Sequence, residues 1–157
     1  MGVPLGHRFA FYALFMNITA TFFEAFYNAN DPVRATALVT ELLSEDFTDH
    51  SPAFGATPDK AGFSQTVALL NRAFRQRYRV TRLLRDGDLH VGIWYSDAQH
   101  VGELMGAAPT GLTVPVEGIT IYEIVDEKIR AHWEQFSVLP LLQQLGVVEF
   151  KQPVTGR

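Results

Sequence analysis

The spacing of hydrophobic residues changes near residue 78. Before that point, apolar side chains recur every three or four positions, which is the spacing of one face of an α-helix. After it, β-branched and aromatic residues fill four runs separated by short polar or glycine-containing turns. Because helices come first and strands follow, the pattern predicts an α+β fold with a mostly antiparallel sheet.

Three segments of the first half have helical spacing: 17–28, 32–43 and 59–77. Asn17 or Thr19 has a side chain suited to cap the first helix. Asp31 followed by Pro32 is a typical start for the second helix, a capping side chain before a first-turn proline. We expect residues 47–58, "FTDHSPAFGATP", to form a polar loop before the third helix.

Four runs in the second half predict strands and a final run predicts a short helix: 78–84, 89–102, 113–125 and 128–136, then 137–147. The third strand has apolar residues on both sides. Val114, Val116 and Tyr122 point one way, and Ile119 and Ile121 point the other. We therefore expect helices to cover one face, enclosing a cone-shaped hollow, and a second subunit to cover the other.

Composition narrows the class of protein. At 157 residues, with 47% hydrophobic residues, the chain suits a single domain over 1–157. A net charge of -4 with scattered basic residues argues against nucleic acid as a partner. The absence of cysteine excludes disulfides and thiolate chemistry, and we expect a cytoplasmic protein. The apolar run in 1–16 is too short to span a membrane, and we interpret it as an N-terminal arm or helix extension, not a targeting peptide.

Several common kinds of site are disfavoured by the motifs. The sequence contains no G-x-G-x-x-G, no P-loop and no G-x-S-x-G, which argues against dinucleotides, nucleoside triphosphates and a serine-hydrolase mechanism. A zinc site needs three or four ligands at close spacing, whereas "HWE" offers two. We therefore expect no bound metal.

The last strand carries the strongest candidate chemistry. In "EKIRAHWEQF", His132, Glu134 and Phe136 share a face because alternate residues of a strand point the same way. An imidazole, a carboxylate and a phenyl ring together suit the wall of a partly enclosed cavity. Burial there would raise the pKa of Glu134 and make it a general acid/base. The simpler alternative is a solvent-exposed Glu134 that only hydrogen-bonds to His132 or to backbone.

Seven motifs, taken in order, resemble those of one known family: FYNANDP, FTDHSP, GATPDKAGF, DGDLHVGIW, HVGELMGAAPTG, IYEIVDEKIRAHWEQF and LLQQLG. Between Ile18 and Val148, their order and spacing resemble those of the SnoaL-like polyketide cyclases, within the nuclear-transport-factor-like superfamily. The resemblance implies a cone-shaped α+β barrel, a homodimer, a deep apolar pocket and no cofactor. It also implies an intramolecular aldol ring closure, or a related cyclisation or isomerisation, of a hydrophobic oxygenated small molecule.

The resemblance also implies roles for particular residues. Glu134 matches the family's acid/base residue on the last long strand, and His100 matches a pocket-facing histidine that would assist it. Thr120 stands where related cyclases often have histidine, and Ser137 where they often have aspartate, so both positions depart from the pattern. The expected substrate-binding residues are Tyr27, His50, Trp94, Met105, Thr120, Tyr122, His132 and Phe136.

Other interpretations stay open at this point. Opening of an epoxide would use the same pocket and the same residues as ring closure. A non-catalytic module that binds a small molecule or dimerises is the second alternative, because a fold alone does not determine function. His50 either lines the pocket mouth or caps its own loop through Asp49 and Ser51, and Tyr27 either reaches the cavity or packs in the core.

Overall fold

The computed structural model describes residue 20 and residues 22–149. Within that range, four helices and a five-stranded mixed sheet confirm the predicted α+β class, and the sheet does not close on itself. The helices are residues 22–28 (α1), Pro32–Leu42 (α2), Lys60–Ala73 (α3) and Val138–Gln144 (α4). The strands are Leu43–Asp49 (β1), Phe74–Asp86 (β2), Leu89–His100 (β3), Thr113–Val125 (β4) and Lys128–Phe136 (β5). The arm expected over 1–16 and the expected caps Asn17 and Thr19 lie outside the described residues.

The start of α2 is as predicted, and the end of α3 is not. The side chain of Asp31 accepts a hydrogen bond of 2.7 Å from the backbone N–H of Arg34, and Pro32 occupies the first turn. Helix α3 was expected to continue to residue 77, but it ends at Ala73. Residues 74–77 pair instead with residues 97–100 of β3, so sheet pairing prevails over the helical propensity of the arginines in this segment.

Strand β1 was not predicted, because residues 43–49 were assigned to a helix end and a loop. The strand pairs in parallel with β5, with Leu43 opposite Ile129 and Asp49 opposite His132. It contains several polar residues and faces a partner more than eighty positions away in the sequence, at a separation of 83 for Asp49 and His132. The sheet is therefore mostly antiparallel, as expected, with one parallel pairing at this edge, and its order is β1-β5-β4-β3-β2.

The two faces of β4 divide as expected. Val114, Thr120 and Tyr122 are buried on the inner face, whereas Ile119, on the outer face, is 46% exposed. Helix α1 approaches the inner face closely at Gly92, where an added Cβ would lie 2.7 Å from the ring of Phe23. The hollow between the helices and this inner face positions the candidate site. No helix in the described part of the chain is long and apolar enough to cross a membrane.

Candidate functional site

Three adjacent strands bring the candidate residues into register. Two neighbouring rungs cross β3, β4 and β5: Gly92–Thr120–Glu134 and Trp94–Gly118–Phe136. Because residues paired on one face of a sheet lie about 4.5–5.5 Å apart, this register places the side chains of Thr120 and Glu134 beside each other. The larger side chain of Trp94 extends over the glycine in its rung, with Cζ2 only 2.5 Å from where a Cβ of Gly118 would be. The site therefore depends on strand register as much as on residue type.

Glu134 faces a pocket whose walls are mostly apolar and include five aromatic side chains. The empty space of the pocket, which includes some open solvent, is about 390 Å³, and its walls include Tyr27, Phe74, Tyr78, Trp94 and Phe136. Glu134 is the one carboxylate among the described residues that line it. A second, more open depression also borders Glu134 and is lined in part by His50, Met105 and Phe136. Glu134 thus stands between an inner apolar chamber and the surface.

A chain of hydrogen bonds holds the Glu134 carboxyl group. The indole Nε1–H of Trp94 donates to Thr120 Oγ1 at 2.9 Å, and the Thr120 hydroxyl donates to Glu134 Oε1 at 2.6 Å. Trp94 is 5% exposed and Thr120 1% exposed, so water has little access to either group. The hydrogen bond from Thr120, shielded from water in this way, gives the Glu134 carboxyl group a defined orientation.

The surroundings of Glu134 change its affinity for a proton. Burial raises the pKa of the Glu134 carboxyl above its ordinary value. The charge of His132 and the hydrogen bond from Thr120 act to lower that pKa but do not cancel the effect of burial. The carboxylate of Asp49 raises the pKa further. Glu134 therefore keeps its proton to a higher pH than an exposed glutamate does.

His132 and Asp49 form a buried pair next to this site. His132 Nδ1 lies 2.9 Å from Asp49 Oδ1, and both side chains are 4% exposed. Asp49 also accepts a hydrogen bond of 2.9 Å from the backbone N–H of Ser51. The imidazole packs between the rings of Phe63 and Tyr122, at 5.1 and 5.4 Å. The pair joins the end of β1 to β5 two residues before Glu134.

Two tyrosine hydroxyls complete the polar part of the inner chamber. Burial raises the pKa of Tyr27 and of Tyr78 well above the ordinary value, and the negative charge of Glu134 raises both further. Both phenols therefore stay neutral at physiological pH and can donate hydrogen bonds.

Most of the predicted substrate-binding residues lie around Glu134. Tyr27, Trp94 and Phe136 line the inner pocket, whereas His50 and Met105 line the outer depression. The ring of His50 stacks on Trp133 at 4.4 Å and 4°. The other three, Thr120, Tyr122 and His132, are buried. None of them is among the described residues that line the two cavities.

His100 lies apart from this cluster. Its Nδ1 is 3.2 Å from Thr110 Oγ1 and accepts a hydrogen bond from the backbone N–H of Thr110. Its ring contacts Phe74, which lines the pocket, but His100 is not itself among the described lining residues. Thr120 pairs with Gly92, eight residues from His100 along β3, which is roughly 26 Å of strand. For His100 to assist Glu134 as predicted, its effect would have to be transmitted by Phe74, which contacts His100 and lines the pocket.

The profile of one protein family matches most of the sequence. The matching region, residues 17–145, is that of the SnoaL-like polyketide cyclases. The chain belongs to this family. A search of curated proteins found no match.

Similarity to solved structures supports the fold. TsrD from Streptomyces laurentii is 23% identical with a TM-score of 0.69, and the match covers 87% of this chain and 97% of TsrD. A candidate SnoaL-like polyketide cyclase from Jannaschia sp. CCS1 is 17% identical with a TM-score of 0.71, covering 85% of this chain and 92% of that one. IdmH from Streptomyces antibioticus, a candidate polyketide cyclase, is 26% identical with a TM-score of 0.64, covering 83% of this chain and 97% of IdmH.

Two residues close to Glu134 were not anticipated from the sequence. Asp49 was considered only as a loop partner for His50, and Tyr78 was placed in a strand without a role. Asp49 reaches the site because β1 pairs with β5, and Tyr78 because it occupies the inner face of β2, where it stacks on Trp94 at 4.7 Å. Alternation in "FRQRYRV" would have placed Tyr78 on the same face as Phe74. No comparable local pattern indicated the parallel pairing of Asp49.

Proposed function

We propose that the protein is a cofactor-independent acid/base enzyme that forms or rearranges a ring in a hydrophobic, oxygenated small molecule. The observation that carries this proposal is one carboxyl group with a raised pKa, oriented by a hydrogen bond and facing an aromatic pocket. An apolar pocket with a few polar groups has the usual make-up of a small-molecule site. The family match supports the same class of reaction.

An intramolecular aldol closure fits these groups step by step. The Glu134 carboxylate removes a proton from a carbon next to a carbonyl, and the C–H electron pair becomes an enolate. The enolate carbon then bonds to a second carbonyl carbon of the same molecule, whose C=O π electrons move to oxygen. That alkoxide takes the proton back from Glu134, so the enzyme is regenerated and no atom is lost. A positioned acid/base of this kind contributes about 10² to 10⁴ in rate.

The other pocket residues have supporting roles in this scheme. The neutral hydroxyls of Tyr27 and Tyr78 are suited to donate hydrogen bonds to the developing oxyanion. The rings of Trp94 and Phe136 provide flat apolar walls against which a flexible chain folds into a reactive conformation. The buried pair of His132 and Asp49 supports the strand that carries Glu134.

The test is to identify a ligand and then compare Glu134→Gln with Glu117→Gln. Mass spectrometry of co-purified or soaked ligands supplies the substrate candidate, and its conversion is followed by chromatography. We expect Glu134→Gln to reduce turnover by about 10² to 10⁴ with little change in binding. Glu117, an exposed glutamate on β4, is the matched control and should leave turnover unchanged. Full activity of Glu134→Gln would refute the assignment, and a ligand that binds but is never converted would favour a binding module.

We also propose that a second copy of the chain covers the outer face of the sheet. Ile93 pairs with Ile119, and Ile121 pairs with Trp133, so apolar side chains from three strands are adjacent there. Light scattering should show a dimer for the wild type and a monomer for Ile119→Glu. Val33→Glu, at a position 76% exposed on α2, is the control that should stay dimeric. A monomeric wild type would contradict this proposal.

A further inference from the structure

The direction of the hydrogen bonds that lead to Glu134 is determined by chemistry. An indole N–H can only donate, so Thr120 Oγ1 is the acceptor of the bond from Trp94. A threonine hydroxyl has one proton and two lone pairs. Because one lone pair accepts from Trp94, the proton is free to point at Glu134 Oε1, 2.6 Å away. Glu134 Oε1 is therefore an acceptor. A proton on Oε1 would have to displace the Thr120 proton from this short contact, whereas a proton on Oε2 leaves the contact intact.

The two oxygens of Glu134 consequently differ. Oε1 is occupied by the Thr120 hydroxyl, whereas no described residue donates a hydrogen bond to Oε2, and Oε2 is not among the buried atoms without a partner. We infer that Trp94 and Thr120 are positioning residues that keep Glu134 Oε1 as a permanent acceptor and leave Oε2 as the oxygen that exchanges the proton with substrate. The transfer of this proton to a substrate rests on the proposed function, whereas the assignment of the two oxygens follows from the hydrogen bonds.

Gly118 provides the space for this arrangement. A Cβ at this position would lie 2.5 Å from Trp94 Cζ2 and 2.8 Å from Phe136 Cβ, so any larger residue would move the indole. The glycine therefore allows the ring to lie across β4 with its N–H directed at Thr120. We call the chain of hydrogen bonds from Trp94 through Thr120 to Glu134 the relay. A proton on Oε2 does not disturb it, so the relay keeps its direction when Glu134 is protonated and when it is ionised.

Other groups also act on the Glu134 carboxyl group, and each must stay constant in a test. The titratable groups around it are His132 on β5, Asp49 on β1, and the phenols of Tyr27, Tyr78 and Tyr122 on α1, β2 and β4. A change confined to Thr120 leaves all of these side chains in place, although it also removes a hydrogen bond between Thr120 and the neutral phenol of Tyr78. The relay can therefore be tested separately from the surrounding charges.

The experiment follows the Glu134 carboxyl carbon by NMR during a pH titration. Protein labelled with ¹³C at the glutamate carboxyl carbon is compared with Glu134→Gln, which identifies the signal. In Thr120→Val, which has the shape of threonine without the hydroxyl, we expect the titration midpoint to rise by about one pH unit, because the donor to the carboxylate is lost. Thr120→Ser keeps the hydroxyl and should titrate like the wild type.

Ser96→Ala is the matched control. Ser96 is a fully buried hydroxyl on the inner face of β3 that bonds to Gln76 at 3.2 Å and does not contact Glu134. It should leave the midpoint unchanged, and the indole N–H signal of Trp94 should move in Thr120→Val but not in Ser96→Ala. An unchanged or lower midpoint in Thr120→Val, or a Thr120→Ser variant that behaves like valine, would overturn the inference. Loss of activity in Glu134→Gln together with an unchanged Thr120→Val midpoint would leave the proposed function standing and remove only the relay.

Discussion

Replacing Asp49 with alanine should destabilise the protein more than any exposed acidic substitution on the same strand. The Asp49 carboxylate is buried, accepts from the backbone N–H of Ser51 and lies 2.9 Å from His132 Nδ1. Alanine removes both hydrogen bonds at once. It also leaves the imidazole in an interior position without a partner for Nδ1.

The size of the effect follows from the two hydrogen bonds that alanine cannot form. A hydrogen bond that involves a charged group contributes about 1.5–3 kcal/mol, so two such bonds correspond to about 3–6 kcal/mol. Removing one partner of a buried ion pair typically costs about 3–5 kcal/mol, and the contact between Asp49 and His132 is an ion pair when the imidazole is protonated. The two values agree, and we expect a decrease of about 3–5 kcal/mol in the free energy of unfolding for Asp49→Ala. This is a large share of the roughly 5–15 kcal/mol typical of a whole domain.

Urea unfolding at neutral pH measures this decrease, and Asp46→Ala is the matched control. Asp46 lies on β1 as well, but its contact with Arg130, 3.4 Å long, is exposed at both ends, at 53% and 67%. Exposed pairs contribute little, so Asp46→Ala should unfold close to the wild type. A double-mutant cycle with His132→Gln should give a coupling energy above about 1 kcal/mol between positions 49 and 132. If Asp49→Ala loses no more stability than Asp46→Ala, the buried pair of Asp49 and His132 does not stabilise the packing of β1 against β5.

Two further predictions concern stability around the pocket. Because the folded state raises the pKa of Glu134, folding favours its protonated form, and this contribution to stability is present at low pH and lost as the pH rises through the folded-state pKa. Glu134→Gln stays neutral, so it should resist urea better than the wild type at pH 8 and lose this advantage at pH 4. An equal difference at both pH values would contradict the raised pKa. Gly118→Ala should cost about 1–3 kcal/mol in unfolding free energy and shift the Trp94 fluorescence, because the new Cβ would lie 2.5 Å from Trp94 Cζ2; unchanged stability and fluorescence would show that the indole has room to move.

The alternation of the later strands made much of the fold predictable. The bounds expected for β4, 113–125, and for β5, 128–136, match the structure, because alternating β-branched and aromatic residues mark both strands along their whole length. The same alternation placed Glu134 and Phe136 on one face. In contrast, the end of α3 and the whole of β1 depend on partners far away in the sequence, and local propensity gives no information about them.

The predicted site was less complete than the predicted fold, for a related reason. Glu134 could be chosen from its own strand, but Thr120 was expected as a substrate-binding residue that departs from the family pattern, not as the donor to Glu134. The hydrogen bond between them requires the pairing of β4 with β5, which residue type does not reveal. Asp49 illustrates the same point, since its contact with His132 spans 83 positions.

A single irregularity between β4 and β5 determines which residue faces Glu134. Val125 pairs with Lys128 across a turn of two residues, Asp126 and Glu127, both with positive φ. Continued one for one, this register would place Ile119 opposite Glu134.

Instead, the register shifts at the step where Glu123 pairs with Ala131 and Ile124 with Ile129, which leaves Arg130 without an opposing residue. The extra residue explains why Ile129 and His132, three positions apart, are both buried, although strict alternation would put them on opposite faces. It also moves Thr120 opposite Glu134 in place of an outward-facing isoleucine that is 46% exposed. The hydroxyl that orients the carboxyl group therefore reaches it because β5 contains one residue more than its neighbour at this point, and bulges next to active sites commonly redirect side chains in this way.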